Sequence, residues 1–184
     1  MQNNLLNTEN CLFLIIDIQE KLLKAQHNSE KLQKNSVILA KTAKILNIPV
    51  IVSEQYPQGL GSTISEIKEN LPENAKYFEK KSFSCCSDSD FIDYLNSTGR
   101  KKIIVSGIES HVCVHQTVSD LIASGFEVYL VKDAISSRKE FECEIGFDRM
   151  IFNGAIPSCT EMILFELIKS SSHENFKQIQ ALIK

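Results

Sequence analysis

Short apolar runs alternate with longer amphipathic segments, and this pattern constrains the fold of the 184-residue chain more than any other feature of its sequence. The first run, Cys11 to Ile16, contains only apolar residues and is too short for a typical helix, so it predicts a strand that is buried on both faces. Asp17 ends that strand. Similar runs predict strands at 50–52, 102–106 and 127–131, with shorter extended segments at 77–83 and 155–156. The segment 55–63 contains Pro57, Gly59 and Gly61 and is predicted to be a loop.

The segments between these runs have the apolar spacing of helices. From Glu30 to Leu46, apolar side chains lie on one face, opposite a lysine-rich face. Comparable spacing predicts helices from about 88 to 96, 114 to 122, 140 to 152 and 160 to 168. Strands joined by helices of this length form right-handed βαβ units. We therefore expect a single Rossmann-like α/β domain over residues 1–184, with an open, mainly parallel sheet and helices on both faces.

Composition argues against several classes of protein. The chain has 20 Lys and Arg against 23 Asp and Glu, and a net charge of -3 lacks the basic footprint of a nucleic-acid-binding protein. No apolar run approaches the roughly 20 residues that span a bilayer, and the first ten residues lack the basic and apolar regions of a secretion signal. The six cysteines form no CxxC pair. We therefore expect a reduced, cytoplasmic chain with no membrane or nucleic-acid partner.

Sites in open parallel sheets form at the carboxyl ends of the strands. This rule selects Asp17, the turn from Gly107 to Cys113, and Asp133. Because Asp17 follows a wholly apolar strand, it is either a base at the edge of a site or a cap for the following segment. Asp133 is better explained as a loop cap than as a catalytic group.

Cys113 has sequence surroundings that are typical of a reactive thiol. Ser110 is a residue type that caps helices, which places Cys113 in the first helical turn, where the helix dipole favours a thiolate. Free backbone N–H groups at that terminus can hold an oxyanion. The alternative is a buried cysteine that faces the sheet. His111 and His115 lie two residues from Cys113 and do not face it on a helix, so Asp17 is the better base.

Four segments carry motifs whose order and spacing are informative: Leu14–Gln19, Glu79–Ser84, Gly107–Val114 and Val131–Arg138. Together they resemble the isochorismatase-like hydrolases, also called the cysteine-hydrolase superfamily, over the stretch from about residue 11 to residue 168. The segment from Ser53 to Gly61 is similar to one poorly characterised branch of that family. Relatives often assemble into dimers or larger oligomers, so the resemblance implies a homo-oligomer.

The resemblance also implies a catalytic set of Asp17, Lys80 and Cys113. In the family mechanism, the thiolate attacks a carbonyl or nitrile carbon, the aspartate carries the thiol proton to the leaving group, and water releases the acyl group. A lysine beside the two acidic groups keeps the aspartate ionised and lowers the thiol pKa. Lys81 takes the place of Lys80 if the alignment shifts by one residue. Without the resemblance, Lys80 is better interpreted as a surface lysine in a charged run.

The oxyanion hole of the family corresponds to the backbone N–H groups of Glu109 and Cys113. Relatives have a cis peptide at the bond that matches Ile108–Glu109. A carboxylate of Glu109 that faced the site would raise the thiol pKa. The side chains of Tyr56, Phe83 and Ile108 are expected to line the substrate site.

Two departures from the family's patterns narrow the function. Nicotinamidases in the family carry an Asp-x-His…His metal site, but His27 is the only histidine in residues 18–79. We therefore expect no metal, no cofactor and no nicotinamidase activity. Nothing indicates the vinyl-ether substrate of true isochorismatases. Arg138 contacts an anionic substrate, a neighbouring subunit or a loop carboxylate, and Cys85 and Cys86 are expected to be spectator thiols.

These observations predict a hydrolase that acts through an acyl-enzyme on a small-molecule amide or related C–N substrate. Two alternatives remain open. The chain is a catalytically silent family member that serves as a binding or assembly module, or it hydrolyses a vinyl ether without covalent catalysis. The sequence does not identify the substrate.

Overall fold

The computed structural model describes residues 5–184. Residues 1–4, part of the segment used to predict the absence of a secretion signal, lie outside the described residues. The strands are β1 (Cys11–Ile16), β2 (Val50–Gln55), β3 (Lys76–Lys80), β4 (Lys102–Ile108), β5 (Glu127–Ser136) and β6 (Ile156–Ser158). The α-helices are α1 (Glu20–Leu23), α2 (Ser29–Ile45), α3 (Pro57–Leu60), α4 (Ser65–Lys68), α5 (Ser89–Ser97), α6 (His115–Ala123), α7 (Glu140–Phe152), α8 (Thr160–Ile168) and α9 (Phe176–Ala181). A 3₁₀ turn, Cys85–Ser87, precedes α5, and a π-helical turn, Ser110–Val114, precedes α6.

The described strands form one parallel sheet in the order β3-β2-β1-β4-β5-β6. At its centre, every residue of β1 and β4 is buried. The chain builds outward from β1 to β3 and then returns to the other side of β1 with β4. The strand order therefore reverses between β1 and β4, which is where open α/β sheets form a crevice at the carboxyl ends of the strands. The predicted Rossmann-like class, with three α/β/α layers, is confirmed.

Side chains of β1 alternate between the two faces of the sheet. Phe13 and Ile15 pack in a cluster that includes residues of α2 and α8, whereas Leu12, Leu14 and Ile16 pack with α5, α6 and α7. Because helices cover both faces, the strand is continuously apolar rather than alternating in polarity. Polar side chains can then gather at the strand ends. Among residues 5–184, no helix has the length and apolar character needed to cross a membrane.

The structure corrects three predicted boundaries. Gly107 and Asp133 were expected to end strands, but β4 and β5 continue through them. Gly107 has a φ of +140°, and a Cβ there would lie 2.2 Å from the carbonyl oxygen of Ile16. The missing side chain therefore lets β4 pass close to β1 without interruption. The segment 55–63, predicted as a loop, contains the one-turn helix α3, with Pro57 at its first position.

Candidate active site

Three side chains meet at the carboxyl edge of the sheet. Asp17 directly follows β1, Lys80 is the last residue of β3, and Cys113 lies in the π-helical turn after β4. Lys80 Nζ donates a hydrogen bond of 2.6 Å to Asp17 Oδ2, and both side chains are almost fully buried. The Cys113 thiol lies close enough to both groups for their charges to act on its pKa. The structure therefore brings together the three residues that the resemblance selects.

Ser53 of the neighbouring strand β2 also holds the carboxylate of Asp17 in place. Ser53 Oγ donates to Asp17 Oδ1 at 2.7 Å, so both carboxylate oxygens have a donor. Asp17 has a φ of +54°, which turns the chain out of the strand direction. Its backbone N–H donates to the carbonyl oxygen of Ser53 at 3.1 Å. This double contact orients the Asp17 side chain.

Lys80 is a buried cation with several acceptors. Besides the bond to Asp17, its ammonium group donates to Gln55 Oε1 at 2.8 Å, Phe83 O at 3.0 Å and Ser82 O at 3.4 Å. Burial acts to lower the pKa of Lys80, but the charge of Asp17 and the neighbouring thiols outweigh burial and raise that pKa above its ordinary value. Lys80 therefore stays cationic at neutral pH. The next residue, Lys81, is exposed.

Cys113 is a protonated thiol rather than the thiolate that its helix position predicts. It is 7% exposed. Burial, and next the charge of Asp17, raise its pKa from 9.0 to about 12, although Lys80 acts in the opposite direction. The expectation of a lowered thiol pKa is therefore wrong, because desolvation and the adjacent carboxylate exceed the favourable effect of the lysine. Such a thiol needs a proton acceptor at the moment it reacts.

Helix α7 supports the turn that carries Cys113. Ser110 was predicted to cap this turn, but its hydroxyl donates instead to the carbonyl oxygen of Cys143 at 3.3 Å. His111 Nε2 lies 3.8 Å from Glu142 Oε2. A Cβ on Gly146 would lie 2.9 Å from the carbonyl carbon of Ser110. The glycine therefore allows α7 to pack directly on the backbone of the turn.

The peptide bond between Ile108 and Glu109 is cis, as it is in the relatives that the sequence resembles. Among the described residues, none accepts a backbone hydrogen bond from the N–H of Glu109. The N–H of Cys113 likewise has no backbone acceptor beyond its own helical turn. The carboxylate of Glu109 accepts a 2.8 Å hydrogen bond from Arg138 Nε. Of the three contacts considered for Arg138, the structure contains the loop salt bridge.

The predicted substrate-lining residues differ in accessibility. Tyr56 and Phe83 are about half exposed, and Tyr56 and Lys80 line a cavity of about 450 Å³. Ile108 has no exposed surface and packs in the apolar core. Its side chain is therefore closed to a substrate in this structure, and the predicted substrate contact of Ile108 stays a prediction.

Ser53 and Cys85 are neighbours of the site that the sequence reasoning missed. The Cys85 thiol lies close enough to Asp17 and Lys80 for their charges to act on its pKa, and its backbone N–H donates to Thr117 Oγ1 at 3.0 Å. Burial, followed by the charge of Asp17, raises the pKa of Cys85 to about 11. Ser53 pairs in register with Ile16, the residue before Asp17. Because the carboxyl ends of parallel strands meet at one edge of the sheet, the sequence does contain a signal that identifies Ser53.

Asp133 lies outside this cluster. Its Oδ1 accepts hydrogen bonds from the backbone N–H of Thr160 at 2.8 Å and from the Thr160 hydroxyl at 2.9 Å, so it caps the start of α8. This agrees with the predicted capping role. Within residues 5–184, no group of three or more His, Cys, Asp or Glu side chains is arranged to hold a metal ion.

Comparison with known proteins gives consistent matches. The family model described as "Isochorismatase domain" matches residues 11–162. Isochorismatase domain-containing protein 1 of Salmo salar is 38% identical over 94% of this chain, which spans 60% of that relative's length. Isochorismatase family protein 1A of Dictyostelium discoideum is 35% identical over 96% of this chain and 87% of its own length.

Solved structures show the same likeness in three dimensions. The MAR1 ribonuclease of Caenorhabditis elegans is 39% identical, with a TM-score of 0.92 over 97% of this chain and 91% of its own. The YcaC gene product of Escherichia coli, described as an octameric hydrolase of unknown specificity, is 25% identical, with a TM-score of 0.93 over 100% of this chain and 91% of its own. Both likenesses extend over the segments that supply the clustered side chains.

Proposed function

The chain belongs to the isochorismatase domain family, and we propose that it is a hydrolase in which Cys113 attacks a small amide or related C–N substrate. The observation that carries this proposal is the buried contact of one thiol, one carboxylate and one ammonium group at the sheet's carboxyl edge. Burying charged groups is costly because they lose their contacts with water. Buried clusters of titratable groups are therefore typical of functional sites.

In the first step, the sulfur of Cys113 forms a bond to the carbonyl carbon while Asp17 accepts the thiol proton. The carbonyl π electrons move to oxygen. Because the pKa of Cys113 is raised to about 12, the thiol is not ionised beforehand, and proton transfer must accompany attack. The hydrogen bond of 2.6 Å from Lys80 holds the Asp17 carboxylate in place for this transfer.

The resulting oxyanion is stabilised by the backbone N–H groups of Glu109 and Cys113. Each such donor is worth roughly a hundredfold to a thousandfold in rate. The contact of α7 with the turn keeps these two N–H groups at fixed positions.

The tetrahedral intermediate collapses by breaking the C–N bond, and Asp17 gives its proton to the departing amine. A thioester to Cys113 remains. Asp17 then takes a proton from water, whose oxygen attacks the thioester carbon. This second intermediate collapses by breaking the C–S bond, Asp17 returns the proton to the departing sulfur, and a carboxylic acid is released. Lys80 remains cationic throughout. Its positive charge partly offsets the negative charge that moves between Asp17 and the oxyanion.

The name of the Caenorhabditis elegans relative introduces RNA as a second possible substrate class. RNA cleavage needs a cation for the phosphate, but Lys80 is buried and bonded to Asp17. The net charge of -3 also lacks a basic footprint. The features of the site therefore favour a small uncharged acyl substrate. Self-association, suggested by the octameric Escherichia coli relative, belongs to the same proposal.

The proposal is tested by trapping the acyl-enzyme. Wild type, Cys113→Ala and Cys143→Ala are incubated with a panel of small amides, quenched in acid and weighed intact by mass spectrometry. We expect an acyl adduct in wild type and Cys143→Ala that is absent from Cys113→Ala.

Two results contradict the proposal. Turnover that survives in Cys113→Ala indicates the non-covalent route, such as vinyl-ether hydrolysis. If the whole panel gives neither adduct nor turnover, the chain is a binding or assembly module.

A further inference from the structure

Arg138 reaches the turn of Cys113 through one neighbour, Glu109. The Nε of Arg138 donates to Glu109 Oε1 at 2.8 Å. The Arg138 side chain is 59% exposed, whereas the Glu109 side chain is only 15% exposed. We infer that Arg138 is a positioning residue whose ion pair holds the Glu109 carboxylate away from the Cys113 sulfur. The inference deepens the proposed function and rests on it.

An unpaired carboxylate of Glu109 would oppose the proposed chemistry at two atoms. Glu109 lies four residues before Cys113, and its own N–H is part of the proposed oxyanion hole. Negative charge develops on the sulfur when it ionises and on the carbonyl oxygen when the sulfur attacks. A largely buried carboxylate close to both atoms raises the thiol pKa and destabilises the oxyanion.

The charges that act on Cys113 support this assignment. Asp17 at the end of β1, Lys80 from β3 and Cys85 from the 3₁₀ turn all influence the thiol pKa, whereas the Glu109 carboxylate faces the Arg138 guanidinium. From α7, Glu142 is directed at His111 rather than at the thiol. The guanidinium therefore offsets a charge that the turn itself brings to the site.

The pair also joins two segments of the chain. Arg138 lies between β5 and α7, and Glu109 follows the last residue of β4. A charge-assisted bond between them fixes the direction of the Glu109 side chain. Because Arg138 is mostly exposed, its replacement leaves the core intact.

The test measures iodoacetamide labelling of Cys113 between pH 7 and 9 in Arg138→Gln. We expect the thiol pKa to rise by about one unit, which lowers the thiolate fraction about tenfold. The greater nucleophilicity of a more basic thiolate reduces the effect on the labelling rate to about threefold. Arg138→Lys keeps the charge and is expected to label at nearly the wild-type rate.

Two further variants separate charge from structure. In Glu109→Gln/Arg138→Gln the carboxylate is gone, so labelling should return to the rate of Glu109→Gln alone. Lys139→Gln is the matched control. Lys139 is similarly exposed, but its ammonium group pairs with Glu142 at 3.9 Å rather than with Glu109, so its loss should leave labelling of Cys113 unchanged.

The inference is overturned if Arg138→Gln labels like wild type, or if the double variant remains as slow as Arg138→Gln, since a purely structural role survives removal of the carboxylate. Failure of the proposed function is distinct. It is recognised in wild type, which would then give neither an acyl adduct nor turnover with the amide panel. The comparison of Cys113 labelling rates across the Arg138 variants does not depend on that result.

Discussion

Replacing Asp17 with asparagine separates two effects that this carboxylate has on Cys113. The carboxylate is the proposed base, yet its charge also raises the thiol pKa. Lys80 acts in the opposite direction and is then left without its ion-pair partner. Asp17→Asn should therefore abolish turnover while making Cys113 easier to ionise.

The magnitude follows from the contacts. The pKa of Cys113 is raised from 9.0 to about 12, which corresponds to about 4 kcal/mol against ionisation. Burial, the largest cause, persists in the variant. A carboxylate about 4 Å from a thiolate costs up to about 4 kcal/mol in a protein site, so we take about two pKa units as its share. The thiolate fraction then rises about a hundredfold, and lower nucleophilicity reduces the gain in labelling rate to about tenfold.

The assay is iodoacetamide labelling at pH 8, with labelled peptides mapped by mass spectrometry. An unpaired Lys80 destabilises the fold by roughly 3–5 kcal/mol, so folding is checked in the same experiment through Cys85. That thiol is 2% exposed and is labelled only when the protein unfolds. Asp17→Asn/Lys80→Met replaces the pair with groups of similar volume, lacks the cation, and should label Cys113 more slowly than Asp17→Asn.

The result that refutes this reasoning is a Cys113 labelling rate in Asp17→Asn at or below that of wild type, with Cys85 still protected. Asp17 would then increase the reactivity of the resting thiol rather than suppress it. The view that proton transfer accompanies attack would have to be abandoned.

Three other predictions concern the support of the site. Gly146→Ala should destabilise the protein by about 1–3 kcal/mol in urea unfolding and slow Cys113 labelling, because the new Cβ lies 2.9 Å from the backbone of Ser110; equal stability and labelling would contradict the direct contact of α7. Asp133→Ala should cost about 1 kcal/mol through loss of the cap at Thr160 and leave Cys113 labelling unchanged, whereas a large loss of labelling would return Asp133 to the site. Stability should fall above pH 9, because the folded-state pKa values of buried thiols are raised, so only the unfolded chain releases their protons there. By pH 10, each such thiol should lower the free energy of unfolding by about 1 kcal/mol. Burial is the main cause that raises the pKa of Cys11 to about 12, so replacing Cys11 should flatten the profile of melting temperature against pH. An unchanged profile would refute the raised pKa of this thiol.

Local patterns predicted the main elements well. The bounds of β1, α7 and α8 agree with the sequence prediction, because apolar runs and helical spacing are properties of neighbouring residues. The helix α9 and the four-residue helices α1 and α4 were not predicted. Isolated helices this short are unstable, so they form only where tertiary contacts hold them.

Predictions about charge were less successful. Position in a helical turn indicated a thiolate at Cys113, but the pKa is raised because burial and Asp17 dominate. Neither cause is visible in the residues around Cys113. The charge of Asp17 also raises the pKa of Cys85, which lies beside the ion pair, and the expected spectator role of Cys85 stays a prediction.

By itself, the sequence determined the alternation of strands and helices, the class of sheet they form, and the placing of Asp17 and the Cys113 turn at carboxyl ends of strands. Only the tertiary structure decided that Lys80 reaches Asp17, that the thiol is protonated, and that Glu109 is paired with Arg138. The physical reason is that secondary structure depends on short-range periodicity, whereas the pKa of a group and its ion-pair partner depend on burial and on distances between residues far apart in the chain.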